Sequence, residues 1–561
     1  MAARATAGTG DDAETGLAAE AAGPLTRGLA VLEAVAESAE PVRPADLAKT
    51  TALARSAVDR LDATLVHLGY LRSEGRDLVA APRLMEFGNA YLQAAGLPEA
   101  VQPHLDRLAG AVDESVSLIA ADGCDMRIVA RAIPPGRVIP LGFRVGDLLP
   151  ADRCAAGAVL AHDWTPEQHS AWRERRIADP VDAGYPALPP RPAAVADPAG
   201  TERAFAAWIA EASEQGWALD DQIAARGLVA LAVPVSDRDG VPRYALSVLA
   251  HTSRSSADGL RENFLERLTA SARDMGDALA GATDPAEPSV PSPYTDAKAE
   301  LGPLFLQALA RGLAVLTALG ARRGGLTLNE AAQATGLSYP STRRNLLTLR
   351  HLGYAEQRGR RYLPAARTLG LGHARLSGLS LTDIARPHLA ELATRVHESA
   401  SVAVLDGAEV RYLARSATRQ VTSAGIQPGT RLPAYATSMG RVLLADLPPR
   451  EQERLLSTLP PRPLTPLTRT SPVDLAGILR RTREDGHAMV EQELEVGLRS
   501  MAVPLRDPRG TVVAAVNVAV HAGPDTPEQS RERLLPHLHA TAHAIEADLA
   551  AVFAFAEVRV E

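Results

Sequence analysis

The side chains of this 561-residue chain best suited to chemistry are its arginines: of 59 basic residues, only Lys49 and Lys298 are lysines. They are unevenly spread. Between Leu309 and Arg375 eleven arginines meet only Glu330 and Glu356, a balance of +9, whereas Leu25–Tyr91 holds eight basic against nine acidic residues, a balance of −1. A guanidinium is a rigid fork of donors that matches phosphate oxygens and the guanine edge. A basic cluster also draws in a polyanion by releasing its counterions. The chemistry these residues can do is recognition of duplex DNA, which a whole-chain net charge of −8 hides. Within the basic stretch Tyr339, Ser341, Thr342, Arg343, Arg344 and Asn345 open one helical run, and Arg358, Arg360 and Arg361 surround a glycine turn. The first group is placed to read or orient on a major groove, the second to hold phosphates. In the acidic stretch Arg55 and Arg60 are the candidates for DNA contact, with Asp59 where Arg343 would be and Asp62 one turn on.

Catalytic chemistry finds less support. Cys124 and Cys154 are the only thiols, which excludes a disulfide framework and suits a reducing cytoplasm. Cys154 stands at a helix start, where a nucleophile would be activated, but a small buried hydrophobe is the expected role. His537, His539 and His543 lie on a polar C-terminal helix with no cysteine or acid at ligand spacing. There is no GxSxG, phosphate-cradling loop or dinucleotide fingerprint. We therefore expect no enzyme, cofactor or metal, with an enzyme kept as the less favoured alternative. No run of eighteen apolar residues suggests a membrane span. Few lysines with abundant Ala, Gly and Pro point to a bacterial genome of high GC content.

The elements that must position these residues come in two copies. RGLAVLEAV begins at Arg27 and RGLAVLTAL at Arg311, and HLGY begins at His67 and His351; both separations are 284. Val233–Pro234 and Val503–Pro504, and His251 and His521, are 270 apart, so the first copy holds 14 extra residues, mostly in ADPVDAGYPALPPRPAAVADPAG. In the second copy apolar spacing predicts a helix over Leu304–Leu319 and a short helix ended by Gly336. A third helix, capped by Ser338, then runs through STRRNLLTLRHLG, and two strands flank Arg358–Gly359. This is the winged helix-turn-helix plan. LSLTDIARPHLAELATRVHES is an amphipathic helix leading into Val-rich strands that alternate with helices, an α+β unit with a mainly antiparallel sheet.

VHESASVAVLDGAEVRYLAR, GTRLPAYATSMGRVLLA, ELEVGLRSMAVPLRD and VVAAVNVAVHA in the second copy resemble the IclR family of bacterial transcription regulators. They are most similar to the subgroup that controls β-ketoadipate pathway genes for protocatechuate and 4-hydroxybenzoate. The resemblance covers nearly all of both copies. It implies a tail over 1–23, a winged helix-turn-helix over 24–90, a diverged GAF-like domain over 91–281, a linker over 282–303, a second winged helix-turn-helix over 304–376 and a second GAF-like domain over 377–555. The implied partners are operator DNA and a small aromatic carboxylic acid, with a homodimer as a further association. Family members carry one such unit per chain, so the fused pair is expected to act as a covalent pseudo-dimer.

By the same resemblance the effector pocket maps to Thr437, Ser438, Met439 and Gly440, whose N–H groups precede a helix, to Leu432, to Val490 or Glu491, and to Ser500 and Asn517. Val490 replaces an acidic residue common in the family, and Glu491 or Glu493 could substitute. Arg499 either meets an effector carboxylate or pairs with Glu493 or Glu495. In the first copy Ala230 stands for Ser500, Ile223 for Glu493 and Ser247 for Asn517. A rival expectation is an effector-sensing partner of another regulator, without a DNA site of its own.

Overall fold

The computed structural model describes residues 23–135, 142–192, 197–236, 240–281, 301–417, 426–523 and 525–560. The tail expected over 1–23 and the linker over 282–303 fall almost wholly outside them. The chain forms two compact units, Met1–Leu376 and Ser377–Glu561. The two sequence copies are thus not the two units: both winged helices belong to the first.

The first winged helix comprises α1 (Pro24–Glu37), α2 (Pro44–Thr50), α3 (Arg55–His67) and a wing of β1 (Leu71–Glu74) and β2 (Asp77–Ala80). α4 (Met85–Ala95) and α5 (Gln102–Val112) lead to a sheet of β3 (Ser115–Asp122), β4 (Asp125–Ala132), β5 (Leu148–Pro150), β6 (Ala218–Asp221), β7 (Leu228–Ser236) and β8 (Pro242–His251). One face of that sheet packs on α4, α5 and α9 (Ala257–Gly281), the other on α6 (Ala155–Leu160), α7 (Pro166–Ala178) and α8 (Pro198–Gln215). The second winged helix has α10 (Gln307–Ala318), β9 (Leu326–Thr327), α11 (Leu328–Thr335), α12 (Tyr339–His351) and the strands β10 (Ala355–Arg358) and β11 (Arg361–Pro364). α10 starts three residues later than the apolar pattern predicts, after a 3-10 turn at Gly302–Leu304. The wing turns at Gly359–Arg360, one residue beyond the expected place.

In the second unit, α13 (Leu381–Val396) precedes β12 (Ser399–Asp406), β13 (Glu409–Ser416) and β14 (Arg431–Pro433). Then follow α14 (Ser438–Asp446), α15 (Pro449–Thr458), α16 (Pro472–Asp485), β15 (Ala488–Glu491), β16 (Leu498–Arg506), β17 (Val512–His521) and α17 (Pro527–Val552). The two six-stranded sheets share one topology, β5-β4-β3-β8-β7-β6 and β14-β13-β12-β17-β16-β15. Every pairing in them is antiparallel.

HLGY ends the third helix of each winged module. Gly69 and Gly353 both sit at φ 77°, a left-handed conformation that glycine adopts without the steric cost of a Cβ. The chain then doubles back so that Tyr70 N–H donates to Leu65 O and Tyr354 N–H to Leu349 O. Both tyrosine rings are buried, under the guanidinium of Arg83 and of Arg367 respectively. The tetrapeptide is a helix stop with an aromatic plug.

The modules pair inside the first unit because α1 and α10 approach closely at glycines. A Cβ on Gly28 would lie 2.4 Å from Leu309 Cδ1, and one on Gly312 2.5 Å from Leu25 Cδ2. Glu33 of the first module accepts hydrogen bonds from the second, from Tyr354 Oη at 2.6 Å and Arg367 Nη2 at 2.8 Å. Gly324 N–H donates to Ala94 O at 2.9 Å, and Arg375 Nη2 to Ala39 O at 2.9 Å. Thr64 on α3 bonds Leu304 O at 3.2 Å and Leu306 N at 3.0 Å. Replacing Glu33 with Ala strips the acceptor from a buried tyrosine hydroxyl. We expect a loss of about 1–3 kcal/mol in the calorimetric unfolding of the first unit, with the second unit unchanged.

Candidate functional site

α12 has two faces. Thr342, Leu346 and Leu349 are buried, which leaves Tyr339, Arg343, Arg344 and Arg350 exposed on the opposite side; Ser341 and Asn345 are half-buried at the margin. Pro340 occupies the first turn, where its missing N–H costs nothing. Ser338 stands at the cap position, but its side chain makes no capping bond, contrary to expectation; its carbonyl instead accepts from Thr342 Oγ1 at 3.2 Å.

The three wing arginines differ in their surroundings. Arg361 Nη1 donates to Gly325 O at 2.7 Å and to the Glu330 carboxylate at 3.3 Å. It ties the wing to the start of α11, where Glu330 closes a capping box with Thr327, so Arg361 has a structural role there beside its proposed phosphate contact, its side chain remaining 40 % exposed. Arg358 is drawn to Glu356 at 2.9 Å, with both side chains about half exposed; such pairs are weak enough for a phosphate to displace. Arg360 is exposed at the turn.

The first module has the same scaffold, with several of its basic side chains set beside acids on the exposed surface. Arg55 pairs with Asp59 at 2.9 Å, Arg72 with Glu74 at 3.0 Å, Lys49 with Asp46 at 3.2 Å and Arg43 with Asp77 at 3.7 Å. Arg60 is exposed beside Asp59. Asp62 takes the place that the fully buried Leu346 holds in the second module. It is 7 % exposed and neither carboxylate oxygen has a hydrogen-bond partner among the described residues. Burial first, and then the charge of Asp59, push its carboxyl up to about 7, with Arg55 opposing.

In the second unit α14 begins at Ser438, so the expected turn is the helix's own first turn. Thr437 is the cap: its Oγ1 accepts from Gly440 N at 3.1 Å. That N–H is therefore committed, and those of Ser438 and Met439 remain at the helix start. Register defines which strand residues share the α14 face. Ser401, Asn517 and Ala502 are cross-strand neighbours, as are Val490, Ser500 and Ala519, and Ala502 clusters with Met439 and Val442. Leu432 lies half-buried at the margin of that cluster. Ser438 Oγ and Asn517 Oδ1 are buried there without a hydrogen-bond partner among the described residues.

Strand alternation removes two assigned residues from this face. Glu491 and Arg499 follow and precede Val490 and Ser500, so they point to the other side. Arg499 pairs with Glu491 and donates to Ser530 Oγ at 2.5 Å and Asp525 O at 2.9 Å at the start of α17. Neither can reach a ligand beside α14, and Arg499 partners Glu491 rather than Glu493 or Glu495. Glu493 is occupied as well: Arg441 grips it at 2.8 and 2.6 Å, and Arg469 N–H donates to it at 2.8 Å.

Two residues escaped the sequence reading. Arg441 was legible as a correlated change, since the first copy replaces both Arg441 and Glu493, by Ala158 and Ile223. Arg415 lies across from Ser401 on the α14 face, donating to Ile426 O at 2.9 Å and Ser399 Oγ at 3.3 Å. Burial lowers its pKa. Its signal was the matching Arg131, again 284 residues earlier. An open groove of about 490 Å³ lies elsewhere, at the C-terminal end of α14 between Leu443, Leu447, Val404 and Val512.

The first copy fills the corresponding region with ions. Arg153 and Arg176 bind Asp182 at 2.9 and 2.5 Å, and Arg191 binds Asp152 at 2.7 Å; both aspartates are 1 % exposed. Asp182 and Arg191 come from the stretch that makes this copy longer. Cys154 is buried and its thiol is pushed up to about 12 by that burial.

Comparison with known proteins agrees with this anatomy. The IclR helix-turn-helix domain matches residues 24–75 and 308–359. The bacterial transcriptional regulator IclR C-terminal domain matches 89–189, 190–276 and 373–547. The Pca regulon regulatory protein of Pseudomonas putida is 41 % identical over 255 residues, 45 % of this chain and 88 % of that protein. The Pca operon regulatory protein of Acinetobacter baylyi is 36 % identical over 43 % of this chain and 88 % of its own length. The p-hydroxybenzoate hydroxylase transcriptional activator of the same organism is 32 % identical, over 43 % and 91 % respectively. Each relative is as long as one copy, and the chain belongs to the IclR family of bacterial transcriptional regulators with both family domains present twice.

Proposed function

We propose that this regulator works in the cytoplasm on genes for aromatic-acid breakdown, reading operator DNA through α12 and sensing a small aromatic carboxylic acid on the α14 face of its second unit. The observation that carries the effector half is the pair of buried, unpartnered groups, Ser438 Oγ and Asn517 Oδ1, beside a helix start and Arg415. Polar atoms are rarely left unpaired in a dry site, and a hydroxybenzoate offers both a carboxylate and a hydroxyl to pair with them. The regulators of the Pca genes and of p-hydroxybenzoate hydroxylase named above support the aromatic class. At Cys154 a packing role is favoured over a nucleophilic one, because burial pushes its thiol up to about 12, against the thiolate a nucleophile needs.

Gel shifts of the full chain on upstream DNA at two salt concentrations test the DNA half. Arg343→Ala with Arg344→Ala should weaken binding at least about thirtyfold and flatten its salt dependence. Retention of full affinity would sink the assignment of α12. Calorimetric titration with 4-hydroxybenzoate and protocatechuate tests the effector half, where Asn517→Leu should cost about tenfold or more in affinity. Equal affinity of the acids for free and DNA-bound protein would refute coupling between the sites, since an effector shifts an equilibrium only through differential affinity.

A further inference from the structure

The winged-helix pair inside the first unit is symmetric in scaffold and unequal in charge. Its members meet through α1 and α10, so the apolar faces around Leu25 and Leu309 are already covered within one chain. A symmetric pair with two equal recognition helices demands a palindromic target, because each half-site must meet the same side chains. Here the equality fails. On the second module Arg343 and Arg360 have no hydrogen bond or ion pair among the described residues, and the local balance is +9. On the first, Arg43, Lys49, Arg55 and Arg72 each hold an acid within 4 Å, Arg60 and Arg76 have no ion pair among the described residues but stand next to Asp59 and Asp77 in the chain, and the balance is −1. A phosphate approaching α3 meets Asp59, Glu74 and Asp77, with no net positive charge to release counterions against.

Resting on the reading that the chain binds DNA, we propose that one chain is a complete winged-helix pair with a single reading arm. Its partner is then a non-palindromic duplex that offers one half-site to α12. The first module supplies the surface on which the second is held, through Glu33, Leu25 and Thr64, and adds little affinity of its own. The family's symmetric logic would then be replaced by an oriented complex, one chain per site with a fixed direction on the duplex.

The test selects tight binders to the full chain from random duplexes of roughly thirty base pairs, long enough for two half-sites one or two helical turns apart. One contiguous block with no inverted or direct repeat is expected, bound at one chain per duplex in native mass spectrometry. Arg55→Ala with Arg60→Ala should leave the selected sequence unchanged and the affinity within about twofold, while Asp59→Arg with Asp62→Leu should add a second block. A two-block consensus from the unaltered chain, or two chains per duplex, would overturn the single-arm proposal while leaving DNA reading intact. No enrichment of any sequence would overturn the DNA reading itself, and the proposal with it.

Discussion

Glu493→Ala is expected to destabilise the second unit by about 3–5 kcal/mol, a large share of the roughly 5–15 kcal/mol that holds an ordinary domain folded. The Arg441 and Glu493 side chains are 3 % and 9 % exposed and meet in a two-pronged contact. Removing the carboxylate leaves a guanidinium buried without its counter-charge, and Arg469 N–H also loses its acceptor. The cost is the desolvation of an unpaired ion, not the small net worth of the pair. Replacing both members by apolar residues should therefore recover most of the loss. Denaturant melts followed by signals from the second unit check this. If Arg441→Leu with Glu493→Met is no more stable than Glu493→Ala alone, the pair is not the cause. The cluster of Arg153, Arg176 and Arg191 on Asp152 and Asp182 shows how the first copy stabilises the same region with its own inserted residues.

The first winged helix should lose stability as pH rises, with Asp62 responsible. Its carboxyl moves from an ordinary 3.8 when unfolded to about 7 when folded. Below about pH 4 both states hold the proton, and the contribution to folding is at its full value. Between the two values only the folded state holds it, so stability falls with rising pH and levels off above about pH 7. A shift of this size corresponds to about 4 kcal/mol across the window. Asp62→Leu copies the residue of the second module, where Leu346 is fully buried, and should raise stability at pH 7.5 by an amount of that order. Asp62→Asn should flatten the profile with a smaller gain. Amide exchange of α3 in the full chain from pH 5 to pH 8, corrected for intrinsic rates, reads both effects. An unchanged slope in Asp62→Asn would assign the dependence to another group.

What could be read without coordinates was local. Charge density along STRRNLLTLR and RGRR depends only on residues adjacent in the chain, and the repeat of HLGY at 284 needs no geometry. Helices and strands followed from apolar spacing to within a few residues, with α10 starting late because Pro303 shapes a 3-10 turn ahead of it. Pocket residues were half legible. Val490, Ser500 and Asn517 share a face, but Glu491 and Arg499 do not, because successive strand residues point to opposite sides and only the register with β17 says which side meets α14.

The sequence by itself determined the duplication, the winged-helix plan in each copy and the unequal charge of the two recognition helices. Only the tertiary structure decided that both winged helices share one unit, that Arg361 bonds Gly325 O and Glu330, and that Glu493 is consumed by Arg441. Composition and periodicity carry the first set, since they act over one or two helical turns. The second set depends on contacts such as Glu33 with Tyr354 and Arg367, more than 300 residues apart, which no local pattern encodes.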